Sequence, residues 1–225
     1  TSAPVESPQL TQKQYLDIKR SSAGSTKVIF SYALLAVVAV GALEFIQPIV
    51  VGTSIPLYLG VVLSMAVFTV YMWLNESDSF TEYAIHPITV DTIFESKFVV
   101  YLFYTVIPTV SIVVVSGIYT MTLIETVVSV ILVLCLSMYT FGISTFFAGF
   151  NPREVLFDSV QFSKYSFATM LPLIPLLISS LFFGVFNTLY LAVGLVIYAV
   201  LLGSIGYLIY QKSGAYWSEK MIRVG

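Results

Sequence analysis

The sequence predicts an all-α membrane protein that crosses the bilayer six times, with both termini in the cytoplasm. Hydrophobic residues make up 58% of the chain and charged residues only 10%, a balance far from that of a soluble domain. All ten Lys and Arg residues lie outside the long apolar runs. If the runs are six membrane crossings, all ten basic residues fall on the same side of the membrane. We predict that this side is the cytoplasm, because cytoplasmic loops are enriched in Lys and Arg.

Each apolar run is near or above the ~20 residues that a helix needs to cross the hydrocarbon core. The predicted spans are Val28–Val51, Ile55–Leu74, Phe98–Ile118, Leu123–Phe150, Tyr165–Phe186 and Thr188–Tyr210. The connections after spans 1, 3 and 5 are short and carry no basic residue. These connections are therefore predicted to lie outside, joining three helical hairpins.

The polar segments divide the chain into three predicted parts. A cytoplasmic N-terminal arm covers residues 1–27, the six-helix transmembrane domain covers 28–210, and a cytoplasmic tail covers 211–225. Within the transmembrane domain, the cytoplasmic loops 75–97 and 151–164 are the long connections. Interaction chemistry is therefore expected on the cytoplasmic face or within the membrane.

Single residues and net charge exclude several classes of function. The net charge of −2 argues against a nucleic-acid partner, which would need a concentrated basic patch. Cys135, the single cysteine, lies in the middle of span 4 and can form no internal disulfide, so we interpret it as a packing residue. The single histidine, His86, has no His, Cys or carboxylate at the spacing of a metal site. No predicted span carries a histidine, which an intramembrane protease would need. We predict neither a metal site nor an enzyme.

The loop between spans 2 and 3 shows the strongest local signals. Ser79 and Glu82 have the spacing of a capping box, which predicts a short helix after them. Pro87 then disfavours helical geometry at the residue before it and ends this helix. Either Thr89 or Thr92 is expected to start the next helix, which continues into span 3.

This loop is acidic. Its carboxylates outnumber its single lysine and are Glu76, Asp78, Glu82, Asp91 and Glu95. The expected surface is a negatively charged knob that carries a short helix at the membrane face.

The loop resembles the first intracellular loop of type 2 ATP-binding-cassette (ABC) exporter permeases. That family typically has a charged turn, then Thr-x-Glu, then Pro-[Ile/Leu]-[Ser/Thr], a few residues, and a Lys that opens the next span. Here His86-Pro87-Ile88-Thr89 and Lys97 match. Thr81 and Glu82 are adjacent instead of separated by one residue, and Ser77 and Asp78 replace an Arg that is frequent in the turn. The resemblance extends to the six spans, the inward termini and the polar arm before span 1.

The resemblance implies a coupling helix that seats in an ATPase subunit and carries nucleotide-driven closure into the membrane domain. The implied contact residues are Glu82, Tyr83, Ala84, Ile85, His86, Pro87, Ile88 and Thr89. No Gly-x-x-x-x-Gly-Lys-[Ser/Thr] phosphate cradle occurs in the chain, so ATP and Mg²⁺ would be bound by a partner ATPase subunit or a further domain. A second permease domain, identical or different, would complete the transporter in the plasma membrane. The alternative is an ordinary solvated loop with capped helix ends.

The second cytoplasmic loop begins with a local helix signal. Asn151 is suited to an N-cap and is followed by Pro at the first helical position, which predicts a helix over Val155–Lys164. Arg153, Glu154 and Asp158 are candidates for a second ATPase contact, although helix capping alone also explains them.

The N-terminal arm mixes apolar and basic residues from Leu10 to Lys27. It is expected either as an interfacial helix in the plane of the membrane, as in the connecting helix of type 2 permeases, or as a disordered arm.

Two carboxylates in the apolar runs are functional candidates, because ionisable residues are costly in a membrane. Glu44, near Gln47 in span 1, could line a pathway for a polar or cationic substrate, carry protons, or simply reach the outer interface. Glu125 opens span 4, where a carboxylate suits a helix N-terminus. The alternatives to the ABC prediction are therefore a secondary carrier that uses Glu44 and a membrane scaffold whose acidic loop docks a cytosolic partner.

Small residues and prolines predict how the spans pack and where they bend. Span 6 carries Ala192, Ala199, Gly203 and Gly206 on roughly one face, which favours close helix approach. Pro108, Pro172 and Pro175 are expected to distort spans 3 and 5. Spans 5 and 6 join at a tight turn near Asn187, which leaves no room for re-entrant helices, so lipid or polysaccharide substrates are not implied.

Overall fold

The computed structural model shows an all-helical chain over the residues that it describes. Those residues are 7–20, 33–34, 36–42, 44–45, 52–64, 89–150, 155, 157–185 and 188–224. Helix and turn account for the regular structure in these ranges, and no strand occurs there. The α-helical class predicted from the sequence is confirmed.

The helices that can be given bounds are eight, numbered here in chain order. They are α1 Ser7–Arg20, α2 Ile55–Ser64, α3 Val90–Tyr101, α4 Ile107–Thr120, α5 Leu123–Phe147, α6 Ser159–Met170, α7 Ile174–Leu181 and α8 Thr188–Val224. A π-helical segment, Leu102–Val106, joins α3 to α4, and a 3₁₀ segment, Leu171–Leu173, joins α6 to α7. All described residues from 33 to 45 are also helical.

Four helical segments of the described chain are long and apolar enough to cross a membrane. They are Val90–Thr120, Leu123–Phe147, Ser159–Leu181 and Leu189–Glu219, which correspond to predicted spans 3 to 6. The shorter apolar helix α2 covers the start of predicted span 2. The membrane character of the chain is thus supported, whereas the full count of six spans and the orientation of the termini remain predictions.

Helix α5 is the centre of the bundle. In its most apolar stretch 61% of the residues are buried, against 33% in Val90–Thr120 and 28% in Leu189–Glu219. The other spans expose large apolar side chains, such as Val115 at 65% and Ile197 at 57%. A continuous apolar exterior of this kind fits a lipid environment, because soluble monomers rarely expose extended apolar patches.

The prolines change the helix type where the sequence predicted distortion. Pro108 follows the π-helical segment, in which the Ile107 N–H donates to the carbonyl of Leu102 instead of to a carbonyl four residues back. Pro172 lies in the 3₁₀ segment, and Pro175 lies in the first turn of α7. Since proline lacks an N–H, the regular hydrogen-bond ladder cannot continue through these positions.

The small face of span 6 lies at a close helix crossing, as predicted, and its partner there is α5. Ala192 and Ala199 are buried. A Cβ atom on Gly206 would lie 2.8 Å from the backbone nitrogen of Tyr139, and one on Gly203 would lie 3.2 Å from the Cα atom of Cys135. Cys135 therefore lies at a helix crossing, where glycine lets the two backbones approach.

Several helix ends differ from the predicted bounds. Span 3 is helical from Val90, earlier than the predicted Phe98, because Thr89 caps the helix inside the loop. Helix α5 ends at Phe147 instead of Phe150, since Gly149 has a positive φ of +29°. The predicted helix Val155–Lys164 is wrong as a single helix, because Asp158 has extended backbone angles and starts α6 at Ser159.

Helix α8 continues without interruption from the membrane into the predicted cytoplasmic tail, as far as Val224. The apolar run ends at Tyr210, but loss of hydrophobicity marks an exit from the membrane and not the end of a helix. No proline interrupts residues 211–224, and the helix can therefore extend past the bilayer.

Candidate functional site

The end of the bundle that is predicted to face the cytoplasm holds the candidate site. Of the predicted coupling residues 82–89, only Thr89 lies within the described residues. Its backbone is extended, and its hydroxyl oxygen accepts from the Thr92 N–H at 3.3 Å. Thr89 is therefore the N-cap that starts α3, which decides between the two predicted start points.

The first turns of α3 lie against the extended part of α8. Asp91 suits the N-terminal turn of a helix because its negative charge faces the positive end of the helix dipole. Its carboxylate also sits directly against Gly214, where any larger residue would meet Oδ1. Lys97, predicted to close the loop, instead lies within α3 and is 4% exposed. The final third of the predicted loop is thus part of the rigid bundle.

An aromatic cluster fixes these helices to one another. We call it the inner aromatic cluster, and it consists of Phe94 and Phe98 of α3, Phe141 of α5, Tyr210 and Trp217 of α8, and Phe150. The rings of Phe98 and Phe141 are 5.1 Å apart, and those of Phe141 and Tyr210 are 5.8 Å apart. Because aromatic pairs at these separations stabilise contacts beyond simple burial, α3 cannot shift without disturbing α5 and α8.

Trp217 joins α8 to the start of the second loop that is predicted to be cytoplasmic. Its ring is buried, and its Nε1–H donates to the carbonyl of Thr145 at 3.1 Å. Its ring is 5.8 Å from that of Phe150. A Cβ atom on Gly149 would lie 2.6 Å from Cζ2 of the indole and closer still to Cε2 and Nε1, so the ring fits only because this position is glycine. The tail helix thus touches the bases of both predicted cytoplasmic loops.

The second group of predicted contacts is only partly described. Arg153 and Glu154 lie outside the described residues. Asp158 is exposed, and its Oδ1 accepts from the Val160 N–H at 2.8 Å as the N-cap of α6. The structure supports a capping role for Asp158 and leaves its proposed ATPase contact a prediction.

The candidate substrate-pathway residues are only partly described. Glu44 is helical and exposed, and Gln47 lies outside the described residues. The roles predicted for Glu44 and Gln47 therefore stay predictions.

The opposite end of the bundle is closed by polar contacts that the sequence did not predict. The Ser54 hydroxyl donates to the carboxylate of Glu125, and the Ser54 N–H donates to the Ser180 carbonyl at 3.0 Å. The Gly184 N–H donates to the Gly52 carbonyl at 2.8 Å. Gly52 has a positive φ of +94° and faces the Gly184 backbone, an approach that a side chain would block. Here Glu125 does more than start a helix, because it ties the turn before α2 to α5.

Buried hydroxyl groups cross the middle of the bundle. The Tyr101 and Thr140 hydroxyls are 3.1 Å apart, and the Thr109 hydroxyl donates to the carbonyl of Thr105 at 2.7 Å. The Ser137 hydroxyl is buried without a hydrogen-bond partner. These residues lie beside the π-helical segment, and such segments are frequent at functional sites.

No cluster of three or more metal-ligating side chains occurs among the described residues.

Comparisons with protein-family models, curated proteins and solved structures found no match for this chain. The functional conclusion therefore depends on the sequence motif and on the geometry of the inner end.

Proposed function

We propose that this chain is the permease domain of an ABC exporter in the plasma membrane. The loop of residues 75–97 contacts a separate ATPase subunit, which binds and hydrolyses Mg-ATP, and a second permease domain completes the pathway. The supporting observation is the continuous helical segment that begins at the Thr89 cap and runs to Thr120. A force applied to the loop reaches the middle of the membrane through this one segment.

The inner aromatic cluster supports the same proposal. A coupling element has to move neighbouring spans as well as its own, and Phe94 and Phe98 contact rings of α8 and α5. Because packed cores transmit displacement instead of absorbing it, movement of α3 would carry both helices. The π-helical segment offers a place where the span can change geometry.

Helix α1 also fits the proposal. The resemblance to type 2 permeases implies a connecting helix before span 1, and residues 7–20 are helical and pack on α3. Leu10 is 3% exposed, so the arm is docked onto the bundle.

Replacement of residues 82–88 by a Gly-Ser segment of equal length tests the proposed contact. Thr89 is retained so that α3 keeps its N-cap. We expect a tagged wild-type chain to co-purify with an ATP-hydrolysing subunit and the replaced chain to lose it. A matched control replaces Tyr119 and Met121, which are highly exposed at the outer turn, and should retain the subunit.

The secondary-carrier and scaffold alternatives give different results. In a carrier that uses Glu44, Glu44→Gln abolishes transport while the loop replacement spares it. In the ABC permease, Glu44→Gln leaves nucleotide-driven transport intact. In a scaffold, the cytosolic partner that the loop retains does not hydrolyse ATP.

A further inference from the structure

The helical segment Val90–Thr120, which corresponds to span 3, faces helix α5 near both of its ends. In its first half, the hydroxyls of Tyr101 and of Thr140 in α5 are 3.1 Å apart. Near its end, Gly117 lies so close to Thr126 of α5 that a Cβ atom on this glycine would overlap the threonine side chain. Tyr101 and Gly117 are therefore presented to the same neighbouring helix.

A regular α-helix would not present both residues in this way. Tyr101 and Gly117 are 16 positions apart, and at about 100° per residue they would lie about 160° apart around a regular helix. The π-helical segment Leu102–Val106 lies between them. Because a π-helical hydrogen bond spans five residues instead of four, the segment takes up one extra residue and reduces this angle to about 60°.

The same π-helical segment carries a ring that contacts α1. Tyr104 lies in the middle of the segment and stacks on Tyr15 of α1, with ring centroids 6.2 Å apart and ring planes 28° apart. Beside this stack the contact is open, because a cavity of about 550 Å³ lies between α1 and span 3. Closely packed protein interiors leave few voids larger than a water molecule. Around the two rings, α1 is therefore attached loosely.

The extra residue is not needed for the contact with α5. A span one residue shorter would present Tyr101 and Gly117 at the same angle of about 60° as a plain α-helix. In that helix, however, Tyr104 would stand one position closer to Tyr101, which turns its ring away from α1 by up to about 100°. The position of Tyr104 is what the extra residue changes.

We propose that the π-helical segment is a docking device for α1, in which the extra residue directs Tyr104 onto Tyr15. Helix α1 is a strap held mainly by this ring. It can leave span 3 while both contacts between span 3 and α5 persist. The device needs neither an ATPase partner nor a substrate, so it can fail or succeed independently of the ABC assignment.

Deletion of Phe103 tests the device, because this residue lies in the π-helical segment and its side chain is 65% exposed. Spin labels are placed at positions 9 and 212, which are exposed on α1 and α8, in a Cys135→Ala background. Electron paramagnetic resonance then measures the distance between the labels in detergent. We expect the deletion to lengthen the mean distance by about 10 Å, roughly one helix diameter, and to broaden its distribution.

Three further variants serve as controls. Deletion of Val115, which is equally exposed but lies in the regular helix α4, turns Gly117 by about 100° relative to α3 and should melt at a lower temperature than deletion of Phe103. Tyr104→Ala removes the ring at constant length and should give the same longer distance as deletion of Phe103. Tyr104→Phe keeps the ring and should keep the wild-type distance.

Any of three results would overturn the proposal. A folded Phe103 deletion with the wild-type distance would show that the extra residue does not dock α1. A wild-type distance in Tyr104→Ala would show that this ring does not hold α1. Equal loss of melting temperature in the two deletion variants would show that the π-helical segment is not a removable one-residue insertion.

Discussion

The crossing of α5 and α8 predicts a steep cost for one methyl group at Gly206. A Cβ atom there would lie 2.8 Å from both the Met138 carbonyl oxygen and the Tyr139 nitrogen, whereas ordinary contact begins at 3.4 Å. Both neighbours are backbone atoms, so the helices must separate by at least about 0.6 Å. Overpacking of this kind costs about 1–3 kcal/mol.

Gly194 is the matched control for Gly206→Ala. It lies on the same helix and has nothing within 4 Å of a built Cβ atom, so Gly194→Ala brings the same gain in helix propensity, up to about 1 kcal/mol. The difference between the two variants therefore isolates the packing cost. Gly203→Ala, whose Cβ atom would meet Cys135 at 3.2 Å, should fall between them.

Thermal unfolding in detergent, followed by tryptophan fluorescence, measures this difference. For a chain of about this size, 1 kcal/mol corresponds to about 2–4 °C, so Gly206→Ala should melt about 2–12 °C below Gly194→Ala. If the two variants melt together, or if Gly206→Ala is the more stable, α5 and α8 do not cross as described.

Three further predictions concern the two ends of the bundle. Thr89→Ala should lower the free energy of unfolding by about 0.5–2 kcal/mol, because the first turn of α3 loses its cap, and Thr89→Asn should restore it; equal stability of Ala and Asn variants would contradict this. Trp217→Phe leaves the Thr145 carbonyl without its indole donor and should lower the free energy of unfolding by about 1–3 kcal/mol, measured by thermal unfolding. An unchanged melting temperature would argue against the contact between Trp217 and Thr145. Glu125→Ala should lower the free energy of unfolding by about 1–3 kcal/mol, because it leaves the Ser54 hydroxyl without its acceptor. The double variant with Ser54→Ala should lose less stability than the sum of the two single variants. Strict additivity in this double-mutant cycle would mean that the two side chains do not interact.

Local sequence patterns predicted the elements that depend on nearby residues. The apolar runs located spans 3 to 6 because membrane crossing depends on length and hydrophobicity alone. Pro108 predicted a break because the missing N–H is a property of the residue itself. The small residues around Gly206 predicted a close helix crossing, because small side chains let two backbones approach. They did not identify α5 as the partner helix.

Contacts between distant segments could not be predicted in this way. Trp217 donates to a carbonyl 72 positions earlier, and Ser54 donates to a carboxylate 71 positions later. Neither residue has a local pattern that names its partner. In the candidate site, Thr89 was one of two predicted starts of the helix into span 3, and the structure shows that it is the N-cap. The docking of Asp91 on Gly214 depends on the unforeseen extension of α8.

The central claim is that the loop before Thr89 contacts an ATP-hydrolysing subunit. Its most direct test is site-specific photo-crosslinking from position 86 in native membranes, with position 119 at the outer turn as the control. We expect an adduct between position 86 and an ATP-binding protein, with a yield that changes when ATP is added, and no such adduct from position 119. If no ATP-binding protein is found among the adducts of position 86, or if one appears at position 119, the loop before Thr89 does not form the proposed contact.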